Sequence, residues 1–113
     1  MTGDKPYNEF KVKMITQEEV IKKLKQCIDP ELGINIVDLG LIYAVNIEGS
    51  RVNVLMTVTT SGCPMGSFFI KDITDKVRAL KGVSAVLVEL TFDPPWNPSK
   101  MSQDSKELLG FIN

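Results

Sequence analysis

The apolar residues of this chain recur with two different periods, and the order of those periods restricts the folds that the chain can adopt. Helical spacing comes first, two runs of strict alternation follow, and a second helical run precedes a third alternating run. The five runs cover residues 16–27, 41–47, 52–58, 64–80 and 86–92. They predict an α+β protein with the element order α-β-β-α-β.

Capping residues predict where the helices begin and end. Thr16 and Glu19 have the spacing of a capping box, so the first helix is predicted to run from there to about Cys27. The second helix is predicted to begin at Pro64, whose fixed φ suits a first helical position, and to end at Gly82. A short third helix is predicted near residues 102–109, before a glycine.

Length and charge predict one domain, with few classes of partner. A chain of 113 residues is predicted to form a single domain at 15–113, preceded by a polar extension at 1–14. The start has no apolar region typical of a secretory signal, and no apolar run is long enough to span a bilayer, so a cytoplasmic protein without membrane contact is expected. A net charge of −1 argues against nucleic acid as a partner.

The sequence contains no histidine. The commonest general base, the partner of Ser and Cys nucleophiles and the commonest metal ligand are therefore all missing. Most hydrolases and thiol proteases are excluded on this ground, and a thiol-dependent enzyme is the weakest of the alternatives.

Cys63 is the main candidate for chemistry. It follows the second alternating run in a turn that leads into the second helix, where free N–H groups and the helix dipole favour a thiolate. A thiolate there can bind iron or a cluster, or react as a nucleophile. The alternative is that Cys63 only shapes a tight turn. Cys27 shares a helical stripe with Val20 and Leu24, so its burial as a small hydrophobic residue is expected.

Three carboxylates lie in the loop between the first helix and the first strand. Asp29, before a proline, is expected to stabilise a turn, while Glu31 and Asp38 are candidate ligands of a hard cation. For Asp38 the residues leave function and loop-stabilising hydrogen bonds equally open, because a carboxylate among apolar neighbours needs donors or a cation. The loop is apolar enough that it is expected to pack against the core.

The proline-rich segment Pro94-Pro95-Trp96 follows the third alternating run. If strands two and three run parallel, this segment lies beside the turn that carries Cys63. Three nearby side chains are expected to cover a core edge more readily than to bind a ligand: Trp96, Met101 and Phe111.

Three segments together resemble the SufT-like and PaaD-like family of iron–sulfur assembly proteins. They are residues 29–43 (Asp-Pro-Glu-Leu-Gly-Ile-Asn-Ile-Val-Asp-Leu-Gly-Leu-Ile-Tyr), residues 57–64 (Thr-Val-Thr-Thr-Ser-Gly-Cys-Pro) and residues 92–98 (Phe-Asp-Pro-Pro-Trp-Asn-Pro). The resemblance implies a two-layer fold with the helices on one face of a small mixed sheet. It also implies a role in inserting clusters into apo-proteins, with Cys63 at the family's cysteine position. The implied pocket around that cysteine contains Asp38, Thr59, Thr60 and Gly62.

One branch of the resembled family, tied to phenylacetate degradation, is expected to carry a cysteine-rich tail. This chain ends at Asn113 without such a tail, so the general assembly branch is favoured.

The thiol count predicts how a cluster would be held. Iron–sulfur clusters usually take four thiolates, whereas one chain offers Cys63 and Cys27, and Cys27 is expected to be buried. A transient cluster or iron, shared with a second subunit, a partner or a small thiol, is therefore expected. Scaffold proteins and client apo-proteins are the expected partners, and a homodimer is one way to complete the ligand set. The competing hypothesis is an adaptor that binds clients through Pro94, Pro95 and Trp96.

Overall fold

The computed structural model describes residues 14–59 and 65–110, and the predicted types and order of elements are confirmed there. Five predicted elements are present, followed by a 3₁₀ turn and the short C-terminal helix. Their bounds are α1 Gln17–Leu24, β1 Ile42–Glu48, β2 Arg51–Met56, α2 Met65–Arg78, β3 Ala85–Leu90, the 3₁₀ turn Pro98–Lys100 and α3 Gln103–Leu109. None of the helices in this part of the chain is long and apolar enough to cross a membrane.

The three strands form one mixed sheet in the order β1-β2-β3. β1 and β2 are antiparallel neighbours joined by a tight turn, in which Gly49 adopts a φ of 61°. β2 and β3 run parallel, so the chain must cross over between them, and α2 is that crossover.

The core lies between one face of this sheet and the first two helices. Val52, Val54 and Met56 of β2 are buried on that face, and α2 presents Phe69, Ile73 and Val77 to it at helical spacing. α1 adds Val20 and Leu24, and it packs on both α2 and β1. The opposite face carries these exposed side chains: Asn46, Glu48, Arg51, Ala85, Leu87 and Glu89. The two-layer α+β arrangement, with the main helices on one side of the sheet, is confirmed.

The loop between α1 and β1 is packed against the core, as predicted. Ile34, Ile36 and Leu39 are buried. A bridge between Ile28 and Asn35 closes the loop, and the Ile36 N–H donates to the Cys27 carbonyl at 3.0 Å. The loop is therefore part of the folded core.

Several predicted ends were wrong by two to four residues. α1 ends at Leu24, with Lys25 as its cap, because the N–H groups after Lys25 bond three residues back instead of four: Gln26 N–H donates to the Lys23 carbonyl and Cys27 N–H to the Leu24 carbonyl. α2 ends at Arg78, and Gly82 (φ 95°) closes a separate turn after it.

Both predicted caps of the outer helices are confirmed. Thr16 accepts from the Glu19 N–H and the Glu19 carboxylate accepts from the Thr16 N–H, each at 3.1 Å. At the other end of the chain, Ser102 caps the start of α3 and Gly110 (φ 88°) caps its end. Phe111 lies outside the described residues.

Candidate functional site

The carboxyl ends of β2 and β3 lie side by side at one end of the sheet. Met56 lies beside Leu90 in the parallel register, and the Thr91 N–H donates to the Met56 carbonyl at 2.8 Å. The chain leaving β2 and the proline-rich segment leaving β3 therefore depart from the same end of the sheet. Thr59 is the last described residue before α2, which begins at Met65, so the proximity of the proline-rich segment to the Cys63 turn stays a prediction.

Cys63, Thr60 and Gly62 lie outside the described residues, so their roles stay predictions. The last residues before them are well anchored. Thr57 is fully buried, and its N–H donates to the Leu41 carbonyl at 2.8 Å. Thr59 is half-buried at the start of the turn. The core thus fixes the point from which the cysteine-bearing segment starts.

Asp38 links the packed loop to the C-terminal region through hydrogen bonds. The Asn35 side-chain amide donates to Asp38 Oδ2 at 3.0 Å, and Asn35 Oδ1 accepts the Asp38 N–H at 2.8 Å. The Asp38 carbonyl in turn accepts the N–H of Ser102, the cap of α3, at 2.7 Å. Loop stabilisation is therefore observed for Asp38, while its place in a cofactor pocket stays a prediction.

Asp29 and Glu31 are placed differently by the structure. Asp29 is buried, and its Oδ1 accepts the N–H groups of Glu31 and Leu32 at 2.7 and 3.0 Å, which is the predicted turn chemistry. The side chain of Glu31 is exposed. Within residues 14–59 and 65–110, no three Cys, Asp or Glu side chains lie close enough together to hold a metal. A metal site at Glu31 or Asp38 would need ligands from outside the described residues or from another molecule.

Two hydrogen bonds hold the proline-rich segment against the rest of the fold. The Trp96 indole N–H donates to the Leu39 carbonyl at 2.7 Å, and the Tyr43 hydroxyl donates to the Pro94 carbonyl at 2.8 Å. Trp96 is half-buried against the core, whereas Pro94 and Pro95 are exposed. Trp96 thus covers a core edge as predicted, and Met101 is likewise buried.

An open groove of about 650 Å³ borders this segment. Its lining joins the start of β1 to the proline-rich segment and the 3₁₀ turn: Val37, Gly40, Ile42, Tyr43, Leu55, Asp93, Pro94 and Lys100. The Lys100 ammonium lies 5.2 Å from the centre of the Tyr43 ring, within reach of a cation–π contact. Sequence reasoning treated Tyr43 only as a strand residue and did not single out Lys100, since no local signal links residues so far apart in the chain.

Cys27 is a free, fully buried thiol, as expected. Burial, and after it the negative charge of Asp72, raises its pKa to about 12 against a smaller opposing effect of Lys76. The thiol donates to the Lys23 carbonyl at 3.8 Å. A protonated, enclosed sulfur is a poor nucleophile and a poor metal ligand.

Comparison with known proteins supplies the family. A family model described as iron–sulfur cluster assembly protein matches residues 17–89. An Fe-S protein maturation auxiliary factor of Porphyromonas gingivalis is 42% identical over 106 residues, which cover 93% of this chain and 98% of that protein. The Fe-S protein maturation auxiliary factor SufT of Staphylococcus aureus is 42% identical over 84 residues, which cover 74% of this chain and 96% of that protein.

A solved structure agrees with the sequence comparisons. A conserved hypothetical protein from Thermotoga maritima matches the fold with a TM-score of 0.75 at 44% identity, covering 87% of this chain and 97% of that one. The family match spans α1, the packed loop, all but the last residue of the sheet and the crossover helix. This chain belongs to the family of iron–sulfur cluster assembly proteins.

Proposed function

We propose that the chain is an accessory factor in iron–sulfur protein maturation whose Cys63 transiently contacts a cluster, iron or an acceptor thiol. The observation that carries the proposal is the family match, together with relatives named as maturation auxiliary factors. The sequence position of Cys63 supports the chemical part, since it falls in the segment that joins β2 to α2, two residues before the first described residue of that helix. Free N–H groups at a helix start favour a thiolate.

The cluster would be cargo shared with another molecule. Cys27 is buried with a raised pKa, so Cys63 is the one candidate thiolate that a single chain offers. Because clusters usually need four such ligands, the others must come from a scaffold, a client, a second copy or a small thiol. This arrangement favours transfer over storage, and it fits a cytoplasmic carrier better than an enzyme.

A cell-based test separates the two thiols. In cells lacking their own copy of this protein, the activity of an iron–sulfur enzyme is measured after supplying wild type, Cys63→Ser or Cys27→Ala. We expect Cys63→Ser to lose the rescue and Cys27→Ala to keep it wherever the variant folds. Full rescue by Cys63→Ser would refute the thiol contact.

The adaptor hypothesis remains a second candidate, because Pro94 and Pro95 are exposed beside the groove at Tyr43. An adaptor predicts that Cys63→Ser still rescues while changes in this surface do not. Trp96→Ala alone is a poor test of client binding, since the indole N–H also donates to the Leu39 carbonyl and its loss would disturb the fold. Pro95→Ser is the better variant, because its side chain is exposed. Rescue by Pro95→Ser together with loss in Cys63→Ser would reject the adaptor.

A further inference from the structure

The two edges of the sheet are protected differently. On β1, the side-chain amide of Gln17 donates to the outward-facing Val45 carbonyl at 2.6 Å. The β1–β2 register also shifts between Ile42 and Ala44, which marks a bulge near the start of the strand. Blocking groups and bulges are the usual means by which sheets prevent another strand from pairing with an edge.

β3 has neither device among the described residues. Its register with β2 is continuous from Ala85 to Leu90. The strand reads Ala-Val-Leu-Val-Glu-Leu, with one charge and no proline. Val86 and Val88 are half-buried against the core, but Leu87 is 53% exposed and Leu90 36%. An exposed apolar edge of this kind favours pairing with another strand.

The backbone of β3 is oriented for such pairing. The Thr91 N–H points to β2, where it bonds to the Met56 carbonyl. Because backbone groups alternate along a strand, the N–H and C=O groups of Val86, Val88 and Leu90 point the other way, to the open edge. Three residues per copy can therefore each offer a donor and an acceptor.

We propose that the β3 edge binds a second copy of this chain, with the two β3 strands antiparallel and Leu87 opposite Leu87 of the second copy. In this register Val86 lies opposite Val88 of the second copy, so the outward backbone groups form paired hydrogen bonds. Leu87 of each copy covers Leu87 of the other on the open face. Two three-stranded sheets then join into one of six strands.

Charge complementarity selects the second copy and fixes the register. Glu89 falls opposite Ala85 of the second copy, and Arg51 lies directly beyond that Ala85 in the neighbouring strand, on the same face. Two strand spacings are about 10 Å, a gap that Glu and Arg side chains can span over a methyl group. Among the described residues, neither Glu89 nor Arg51 forms an ion pair within one chain, although Glu48 lies opposite Arg51 in the β1–β2 register. The symmetry supplies this pair twice, whereas a register with Glu89 opposite Glu89 would set like charges together.

This interface has a consequence for cluster binding. Antiparallel pairing puts the carboxyl ends of the two β2 strands at opposite ends of the joined sheet. The two copies would therefore not contribute Cys63 to one shared cluster through this interface, and each would keep its own site free for a partner.

Charge exchange tests the proposal on the full chain. The dimer dissociation constant is measured by sedimentation for wild type, Glu89→Arg, Arg51→Glu and the double variant, with Glu18→Arg on α1 as a control of equal charge change. We expect each single variant to weaken dimerisation roughly tenfold, the double variant to restore it and the control to leave it unchanged. A chain that stays monomeric up to about 1 mM would overturn the proposal, as would a double variant as dissociated as the single ones.

Cysteine pairing tests the register in a Cys63→Ser background. Directly opposed residues at a position without cross-strand hydrogen bonds have Cα atoms about 4.5 Å apart, so Leu87→Cys should form an intermolecular disulfide under mild oxidation. Ala85→Cys should not, because its counterpart lies several residues away along the second copy. Equal crosslinking of both variants contradicts the register. If the edge binds an extended client peptide while the chain stays monomeric, the occupant is a client strand and the proposal is wrong.

Discussion

Cys27 couples the ionisation of a buried thiol to the stability of the fold. Its pKa is raised from 9.0 to about 12 by burial and by Asp72, so the unfolded chain loses this proton at lower pH than the folded one. The resulting stabilisation is complete below pH 9 and is lost as the pH rises from there to about 12. We predict that the free energy of unfolding falls by about 1.4 kcal/mol per pH unit in that window from this group alone, measured by urea unfolding.

Cys27→Ala isolates this contribution. The pKa values of Lys71 and Lys76 are raised by hydrogen bonds to Asp75 and Asp72, and both lysines are present in wild type and variant. Their effects on the pH dependence largely cancel in the comparison. Identical pH slopes for the two proteins above pH 9 would contradict the assigned pKa shift.

Gly40 fixes the contact between the packed loop and the 3₁₀ turn. Its φ is 79°, and a Cβ at this position would lie 2.2 Å from the Lys100 carbonyl oxygen. Gly40→Ala therefore combines left-handed strain with a backbone clash, and we predict a loss of more than about 2 kcal/mol in the free energy of unfolding.

Gly33→Ala is the matched control for that prediction. Gly33 has a similar φ of 71°, but a Cβ there would meet nothing within 4 Å. Its substitution should cost only the backbone strain, about 1–2 kcal/mol. Equal losses in the two variants would show that the close approach to Lys100 does not affect the free energy of unfolding.

At the scale of single elements, α1 depends on its capping box. The reciprocal bonds between Thr16 and Glu19 satisfy N–H groups that a helix of eight residues can otherwise pair only with water. Thr16→Ala should lower the free energy of unfolding by about 1 kcal/mol in denaturant titrations, whereas Thr16→Ser should keep most of it. A loss as large for serine as for alanine would mean that the methyl group of Thr16, and not its hydroxyl, matters.

Local signals predicted the elements well and their ends less well. The capping box at Thr16 and the glycine after α3 are encoded within a few residues, so both were predictable. The end of α1 was not, because Cys27 satisfies the apolar spacing of a helix while its N–H bonds the Leu24 carbonyl three residues back. Likewise, the alternating apolar residues continue past Met56, although the β2–β3 register ends at the pair of Met56 and Leu90.

At the scale of the whole molecule, long-range contacts set the surroundings of the candidate site. The bond from the Trp96 indole to the Leu39 carbonyl joins residues 57 positions apart, and no sequence period encodes it. Strand order was equally hidden from the sequence. The β3 edge, which carries no blocking group or bulge among the described residues, became visible only once β1 and β3 were both placed at the edges. The meeting of the β2 and β3 ends was predictable only on the condition that the strands are parallel.

Anaerobic reconstitution with ferrous iron and sulfide tests the central claim, that Cys63 contacts the cluster or its iron. Wild type, Cys63→Ser and Cys27→Ala are compared by visible absorbance and by mass under non-denaturing conditions, which report the bound iron and the number of chains together. We predict that wild type and Cys27→Ala gain cluster absorbance and the matching mass, and that Cys63→Ser gains neither. Unchanged absorbance and mass in Cys63→Ser would contradict the account.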